Sequence, residues 1–179
     1  EWMKALDLLR AIVQGRAKAD TITYNSAITA CGRGSEWMKA LQLLSEMNQG
    51  SIEMSTVTCS AAISACEKGG EWVTALHLLG FTSKSRAELN PIAHNAAISA
   101  CGRGARWERA LVMFLDMPRC YLVADRVSYN ALISAFERGE QWQRALLILS
   151  EMQVHGLQPN VITYNAAISA CERCGQVAQ

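Results

Sequence analysis

The sequence has little of what marks a fibrous, membrane-spanning or strongly charged protein. Only 3 of the 179 residues are proline and 12 are glycine, which excludes a collagen-like chain or a long linker. No apolar run approaches the ~20 residues that a helix needs to cross a bilayer. Basic and acidic residues nearly balance, 17 against 16, so the net charge of +1 does not by itself point to nucleic acid or acidic lipid. The sequence also lacks a phosphate-binding loop and a nucleophile elbow, so we expect no enzyme.

Half of the residues are apolar, and the sequence pattern recurs with a period of 35. The block of residues 21–28 returns four times at this interval, beginning at residues 56, 91, 126 and 161. The chain divides into a partial repeat at 1–20, full repeats at 21–55, 56–90, 91–125 and 126–160, and a partial repeat at 161–179. We expect one continuous repeat array that is a piece of a longer protein. A residue's position is its place within the repeat, with Thr21 at position 1.

Each repeat is predicted to form two helices. In the first, positions 4, 7, 8 and 11 form the one-sided apolar stripe of a helix; they are Tyr24, Ala27, Ile28 and Cys31 in the first full repeat. The glycine at position 14 breaks this pattern, and a second helix starts near position 16. A helix pair of this size cannot bury its apolar face alone. The predicted fold is therefore all-α, a right-handed superhelical solenoid of stacked antiparallel helix pairs.

Several side chains that could serve in binding or chemistry are expected to be core residues instead. A tryptophan occupies position 17 of the first five repeats, on the apolar stripe of the second helix, where packing between repeats is favoured over base stacking. The tryptophans are Trp2, Trp37, Trp72, Trp107 and Trp142. The expected core also includes tyrosines at position 4, methionines at position 27 and cysteines at position 11: Tyr24, Tyr129, Tyr164, Met47, Met117, Met152, Cys31, Cys66, Cys101 and Cys171.

Cys171 and Cys174 have Cys-x-x-Cys spacing, which alone is a weak signal for metal or redox chemistry. No second cysteine pair accompanies them, and His77, His94 and His155 fall at three different positions of the repeat. We therefore predict no metal site and no cofactor.

The repeat resembles that of a known family. The Trp-x2-Leu-Gly-x2-Tyr pattern of a 34-residue tetratricopeptide unit is absent. The sequence VITYNAAI at 161–168, the ending GLQPN at 156–160 and the two-helix unit of 35 residues instead resemble a pentatricopeptide repeat protein with plain 35-residue repeats. The resemblance implies single-stranded RNA binding in a mitochondrion or plastid, with about one base per repeat and without catalysis. Helical repeats that each read one splayed base are physically reasonable.

The resemblance also implies which residues contact RNA. Positions 5 and 35 read the base, and position 2 packs between neighbouring bases. Position 5 is Asn25, Ser60, Asn95, Asn130 and Asn165. Position 35 is Asp20, Ser55, Asn90, Asp125 and Asn160. Position 2 is Ile22, Val57, Ile92, Val127 and Ile162. The family's pairings then imply the track (G/U)-C-A-U-(C/U)-(C/U) from 5′ to 3′, whose core is C-A-U-pyrimidine.

Two of these assignments have structural alternatives. Residues at position 35 directly precede a helix and are the usual capping types, so they could serve the fold alone. Position 13 is basic in every repeat and could form a stripe that contacts phosphates, or could only complement the helix dipole. The position 13 residues are Arg33, Lys68, Arg103, Arg138 and Arg173.

The sequence leaves two functions open. The first is sequence-selective binding of single-stranded RNA in organellar RNA processing, stability, editing or translation. The second is a protein-interaction scaffold, such as a structural subunit of an organellar ribosome or of another large assembly, because solenoids offer broad surfaces for either use. Other proteins of such an assembly are possible partners in both cases, and membrane insertion is not expected.

Overall fold

The computed structural model of the chain describes residues 1–15, 19–84, 90–173 and 175. Within this part of the chain, the secondary structure consists of helices and turns without strands. The α-helices are α1 (Trp2–Gln14), α2 (Thr21–Arg33), α3 (Trp37–Gln49), α4 (Thr56–Gly69), α5 (Trp72–Lys84), α6 (Pro91–Arg103), α7 (Trp107–Asp116), α8 (Arg126–Arg138), α9 (Trp142–Val154) and α10 (Val161–Arg173). A short 3₁₀ helix, Pro118–Cys120, follows α7. The predicted all-α fold is confirmed.

Each full repeat contains one helix pair, as the periodicity predicts. The first helix starts at position 1, and the second starts at the tryptophan of position 17, one residue later than predicted. The tight turn between them puts position 15 in the left-handed region of the backbone. The φ angles there are 60° at Ser35, 75° at Gly70, 53° at Ala105 and 57° at Glu140.

The glycine at position 14 serves packing between repeats. Its φ angle is negative, −84° at Gly34 and −88° at Gly139, so the turn does not require glycine there. A Cβ atom would instead overlap the indole of the preceding repeat in three pairs, namely Gly34 with Trp2, Gly69 with Trp37, and Gly139 with Trp107. The prediction that tryptophans pack between repeats is confirmed for these three pairs.

Two of the indoles are also covered by a cation from the following repeat. The Lys39 Nζ lies 3.8 Å from the centre of the Trp2 ring, and the Arg144 guanidinium lies 4.3 Å from that of Trp107. At these distances the cation is attracted to the negative face of the ring. Each of these two indoles therefore contacts both the glycine turn and a basic side chain of the next repeat.

The helices form two compact bodies. The N-terminal body, Glu1–Leu89, contains α1 to α5, and the C-terminal body, Asn90–Gln179, contains α6 to α10. In the N-terminal body the first helices α2 and α4 pack on each other, and in the C-terminal body α8 packs on both α6 and α10. The second helices α3 and α7 each contact the first helix of their own repeat and that of the next. The stacked helix pairs that the repeats predict are thus present within each body.

The core contains most of the residues assigned to it from the sequence. Tyr24 and Tyr129 are buried, and the methionines of position 27 and the cysteines Cys31, Cys66 and Cys101 are completely buried. Burial raises the pKa of the Cys66 and Cys101 thiols to about 11, so they stay protonated and unreactive at neutral pH. The core prediction is wrong for Tyr164, which is 45% exposed, because no helix of the described chain follows α10 to cover it. Cys171 is half-buried.

Within the described residues, no helix combines the length and apolar character that crossing a membrane requires.

Candidate nucleic-acid interface

Position 35 caps the first helix of the following repeat. In all five cases its side-chain oxygen accepts a hydrogen bond of 2.8–3.2 Å from the backbone N–H of position 3. The capping residues are Asp20, Ser55, Asn90, Asp125 and Asn160. The capping expected of these residue types is therefore confirmed, and their contact with a base stays a prediction. Capping occupies one oxygen of an aspartate or asparagine, so it is compatible with a second role in binding.

Positions 5 and 35 lie next to each other in two of the predicted pairs. Asn25 Nδ2 donates to Ser55 Oγ over 3.4 Å, and Asn95 Nδ2 donates to Asp125 Oδ1 over 3.3 Å. Each bond links the first helices of two neighbouring repeats. Residues 30 apart in the chain thus form one polar pair at the helix N-terminus.

The remaining position 5 residues differ in their surroundings. Asn130 and Asn160 are bridged by Thr163, whose hydroxyl lies 2.6 Å from Asn130 Oδ1 and 2.9 Å from Asn160 Oδ1. The hydroxyl of Ser60 donates to the Thr56 carbonyl within its own helix, and the pairing of Ser60 with Asn90 stays a prediction. Asn165 is exposed on α10.

Position 5 lies at the base of the interface rather than on its rim. Ser60 and Asn95 are only 7% and 8% exposed, and Asn25 and Asn130 are half-buried. A ligand can therefore reach only one edge of these side chains. A flat base edge that enters between neighbouring helices fits this geometry better than a bulky side chain does.

Position 2 is exposed in every repeat although it is always valine or isoleucine. The exposed fractions of these five side chains run from 58% at Val127 to 73% at Ile22. Branched aliphatic residues usually lie in the core, so recurrent exposure at one position indicates a surface that a ligand covers. The exposed set is Ile22, Val57, Ile92, Val127 and Ile162.

An open groove in the N-terminal body brings positions 2, 5 and 13 together. It has a volume of about 610 Å³ and is lined by residues of α2 with Val57 of α4. The α2 lining comprises Ile22, Asn25, Ser26, Thr29, Ala30 and Arg33, and Glu1 and Trp2 border the groove. This volume lies within the ~300–1,000 Å³ that is usual for small-molecule pockets.

The basic residues of position 13 are all exposed at the C-terminal ends of first helices. This location complements the helix dipole, as the structural alternative expects, and the phosphate contact stays a prediction. Arg173 also lies 3.7 Å from the Glu137 carboxylate of the preceding repeat; the side chain of Arg173 is 55% exposed and that of Glu137 is 18% exposed. The guanidinium therefore remains accessible from solvent.

Both aspartates of position 35 are held in the ionised form. Hydrogen bonds from the hydroxyl and backbone N–H of Thr23 keep the pKa of Asp20 below its ordinary value. Burial alone would raise the pKa of Asp125, but hydrogen bonds from Ser128 and Asn95 outweigh it and lower that pKa. At neutral pH these carboxylates can therefore only accept hydrogen bonds. They suit the N–H groups of a base edge and repel phosphate.

Sequence comparison identifies the repeats. The PPR repeat family model matches residues 19–68 and 124–173, and the PPR repeat model matches residues 92–122. The chain belongs to the PPR repeat family. No curated protein matches it.

Solved structures of PPR proteins have the same fold. The pentatricopeptide repeat protein PPR10 in complex with an 18-nt psaJ RNA element is 25% identical, with a TM-score of 0.84 over 96% of this chain. The match covers 25% of PPR10, so this chain spans about a quarter of its length. PPR10 from maize matches with 21% identity, a TM-score of 0.57 and coverage of 99% and 30% of the two chains. The PPR domain of Arabidopsis thaliana protein-only RNase P 1 in complex with tRNA matches with 11% identity, a TM-score of 0.77 and coverage of 96% and 90%.

Two further positions of the PPR repeat belong to the interface and were not singled out from the sequence. Position 9, represented by Thr29 in the groove, is serine or threonine in all five repeats that contain it. The sequence could have indicated position 9 by its spacing from positions 2 and 13, which places all three on one face of the first helix. Position 3 contacts position 5 of the preceding repeat, as Ser128 and Thr163 do. That contact depends on how neighbouring repeats stack, which a single repeat does not reveal.

Among the described residues, no three His, Cys, Asp or Glu side chains lie close enough together to hold a metal ion. Cys174, the second cysteine of the Cys-x-x-Cys pair, lies outside the described residues.

Proposed function

We propose that the chain binds single-stranded RNA in a sequence-selective manner, with one base per repeat. The observation that carries the proposal is the exposed aliphatic residue at position 2, which recurs beside a polar pair of positions 5 and 35. A base needs an apolar surface for its face and hydrogen-bonding groups for its edge, and each such set offers both. The likeness to PPR10, whose structure contains a bound RNA element, supports this ligand class.

The set at Asn95 and Asp125 illustrates how an edge is read. Asn95 uses one N–H on Asp125 and keeps a second N–H for a ligand, while the ionised Asp125 supplies an acceptor. Uracil offers a carbonyl oxygen beside its N3–H, which is the complementary arrangement. Cytosine has an acceptor at N3 and would face the carboxylate with a lone pair. The pair Asn95–Asp125 therefore favours U over C.

The other pairs extend this assignment to the core track C-A-U-pyrimidine. Asn25 with Ser55 reads C, Ser60 with Asn90 reads A, and Asn130 with Asn160 reads a pyrimidine. Outside this core, Asp20 selects G or U, and Asn165 selects a pyrimidine. Stacking contributes about 1–3 kcal/mol for each base before the strand is ordered, so six bases give modest affinity.

The basic residues of position 13 contact the phosphates of the bound strand. They are exposed in every repeat, and Arg33 lines the same groove as Ile22 and Asn25. Each phosphate contact on a single strand steepens the plot of log affinity against log salt by about 0.7. From the family resemblance we propose a non-catalytic role in a mitochondrion or plastid, in which binding of an RNA segment affects its processing, stability, editing or translation.

The proposal is tested by the affinity of the chain for three labelled oligonucleotides at one moderate salt concentration. The first RNA contains C-A-U-U, the second has the A and U exchanged, and the third is the DNA version of the first. Exchange should weaken binding at least about fivefold, since two base edges lose hydrogen bonds of about 0.5–1.5 kcal/mol each. Asn95→Ala should abolish the preference for U at its register and leave the neighbouring registers unchanged.

Three outcomes separate the alternatives. Preference for the C-A-U-U strand supports both RNA binding and the assignment of bases to repeats. Equal binding of the two RNAs retains RNA binding but overturns the base assignment. If the folded chain binds none of the oligonucleotides, RNA binding is contradicted and the protein-interaction scaffold becomes the better explanation.

A further inference from the structure

The hydroxyl group at position 3 reaches back to the asparagine at position 5 of the preceding repeat. Ser128 Oγ lies 2.7 Å from Asn95 Oδ1, and Thr163 Oγ1 lies 2.6 Å from Asn130 Oδ1. Both hydroxyl residues are completely buried. These are short hydrogen bonds between side chains 33 residues apart, and they fall at the predicted base-reading residues.

The Ser128 hydroxyl has two acceptors within reach, Asn95 Oδ1 at 2.7 Å and Asp125 Oδ1 at 3.0 Å. A hydroxyl has only one proton, and the shorter distance assigns it to the amide oxygen of Asn95. The lone pairs of the same oxygen accept the backbone N–H of Asp125 over 3.2 Å. One hydroxyl therefore completes the helix cap with its lone pairs and holds the asparagine with its proton.

These contacts fix which way the amide of Asn95 points. Its oxygen faces the Ser128 hydroxyl, and its nitrogen faces the Asp125 carboxylate, which can accept but not donate. Rotation of the amide by 180° would bring its oxygen against the carboxylate and its NH2 group against the hydroxyl. The observed orientation leaves an N–H of Asn95 as the group available to a base.

A hydroxyl follows each of three asparagines in the sequence, and at two of them it makes the contact. Thr58, Ser128 and Thr163 follow Asn25, Asn95 and Asn130 by 33 residues. The Thr58 hydroxyl instead bonds to Ser55, and the Asn25 amide oxygen is buried without a partner among the described residues, so the contact is confined to Ser128 and Thr163. The single full repeat with serine at position 5, at Ser60, is followed at the same interval by Ala93, which has no hydroxyl.

Capping alone does not explain this pattern. Asn90 caps the backbone N–H of Ala93 at 2.8 Å, as short a bond as at any other cap. The bond from position 35 to the backbone of position 3 therefore does not need a hydroxyl at position 3. At Ser128 and Thr163 the hydroxyl accepts the backbone N–H of the cap residue and also contacts the amide.

We propose that the hydroxyl at position 3 is a positioning residue for base recognition. By holding the amide oxygen of the preceding position 5, it commits the asparagine to donate an N–H to the base. At Asn95 this commitment favours the carbonyl oxygen of uracil over the amino group of cytosine. The inference rests on the proposed function, because it concerns how the same RNA site selects its base.

Ser128→Ala tests the inference with two RNAs that differ only by U or C opposite Asn95. Without the hydroxyl only the Asp125 carboxylate still orients the amide, so the N–H is held less firmly towards the base. The U-over-C preference should therefore fall about three- to tenfold, the range that one neutral hydrogen bond represents. Ser128→Thr keeps the hydroxyl and should keep the preference. The base preference opposite Asn130 in the same variant is an internal control and should not change.

A purely structural role would give a different result. Loss of the cap contact alone should weaken binding of both RNAs equally and leave their ratio unchanged, which would overturn the inference. If Ser128→Ala does not fold, Thr163→Ala tests the same contact opposite Asn130, where the measured preference is that for a pyrimidine over a purine. If the wild-type chain itself shows no preference at either register, the base assignment of the proposed function fails. If both variants keep the full wild-type preference, the inference about position 3 fails and the proposed function stands.

Discussion

The two ends of the first helix in each repeat differ in how far their residues vary. At the N-terminal end, position 35 is aspartate, serine or asparagine, and all three cap the helix. At the C-terminal end, position 14 is glycine in every full repeat and meets a tryptophan of the preceding repeat in each of the three described pairs. Several residue types can cap a helix, whereas only glycine fits where an indole packs against the backbone. The C-terminal end of the first helix is thus fixed by packing, whereas the residue at position 35, and with it the base that is read, can vary without loss of structure.

The largest effect is expected at the C-terminal end. In Gly139→Ala the new methyl group overlaps the Trp107 ring, so the free energy of unfolding should fall by about 1–3 kcal/mol, as for other overpacked contacts. Gly80→Ala is the matched control, because a Cβ there has no atom within 4 Å. The control should gain about 0.5–1 kcal/mol from helix propensity. Urea unfolding measures both, and a neutral Gly139→Ala would refute the close contact.

A smaller effect is expected near the N-terminus of α6, where one titratable group breaks the apolar pattern of the buried helix face. His94 occupies position 4, which is tyrosine in three other repeats, and its Nδ1 is buried without a partner among the described residues. Burial lowers its pKa, and the charge of Asp116 opposes this only in part. The unfolded chain therefore binds the proton more readily than the folded one does. The stabilisation by neutral His94 is present above pH 6.5 and is lost as the pH falls below it.

His94→Tyr tests this pH dependence. Between pH 7.5 and 5.5 the wild-type chain should lose stability relative to the variant, with a slope of at most about 1.4 kcal/mol per pH unit, the value for one proton. Thermal or urea unfolding across this range gives the comparison. Parallel stability curves for the two proteins would contradict the account of His94.

A modest gain is expected at the turn beside the glycine. Ala105 has a φ angle of 53°, where an alanine side chain is strained, and Gly70 already fills the same position in another repeat. The left-handed conformation costs an L-residue about 1–2 kcal/mol, and the greater freedom of glycine in the unfolded chain offsets part of that. Ala105→Gly should therefore raise the free energy of unfolding by up to about 1 kcal/mol. A clear loss of stability would show that the turn does not need the left-handed residue.

The smallest effect on stability is expected at the N-terminal end. Asn caps a helix about as well as Asp, so Asp125→Asn should change the free energy of unfolding by no more than about 0.5 kcal/mol. It replaces an obligate acceptor by a group that can also donate, so the preference for U at this register should shift towards C. Unfolding and RNA affinity are measured on the same preparation. A large loss of stability with an unchanged base preference would contradict the proposal that position 35 selects the base while position 14 stabilises the fold.

The sequence predicted the elements better than the contacts between repeats. Its periodicity placed both helices of the repeat to within about a residue, because core positions on a helix recur at a spacing that can be read locally. From the sequence, Gly34 is only a helix break. The Trp2 indole that requires the glycine comes from the preceding repeat, so a single repeat does not reveal it. The Ser128–Asn95 contact was missed for the same reason. The base-reading role of Asn95 came from the family resemblance, because periodicity alone shows only a polar residue in a helix.

The central claim is that consecutive repeats read consecutive bases. Its most direct test is to let the folded chain select from RNAs with ten randomised nucleotides and to sequence those that stay bound. The account predicts enrichment of contiguous C-A-U-pyrimidine, with the Asn95→Ala variant losing selectivity at the U alone. Bound RNAs without a shared sequence, or with one whose positions do not respond one at a time to changes in single repeats, would contradict it.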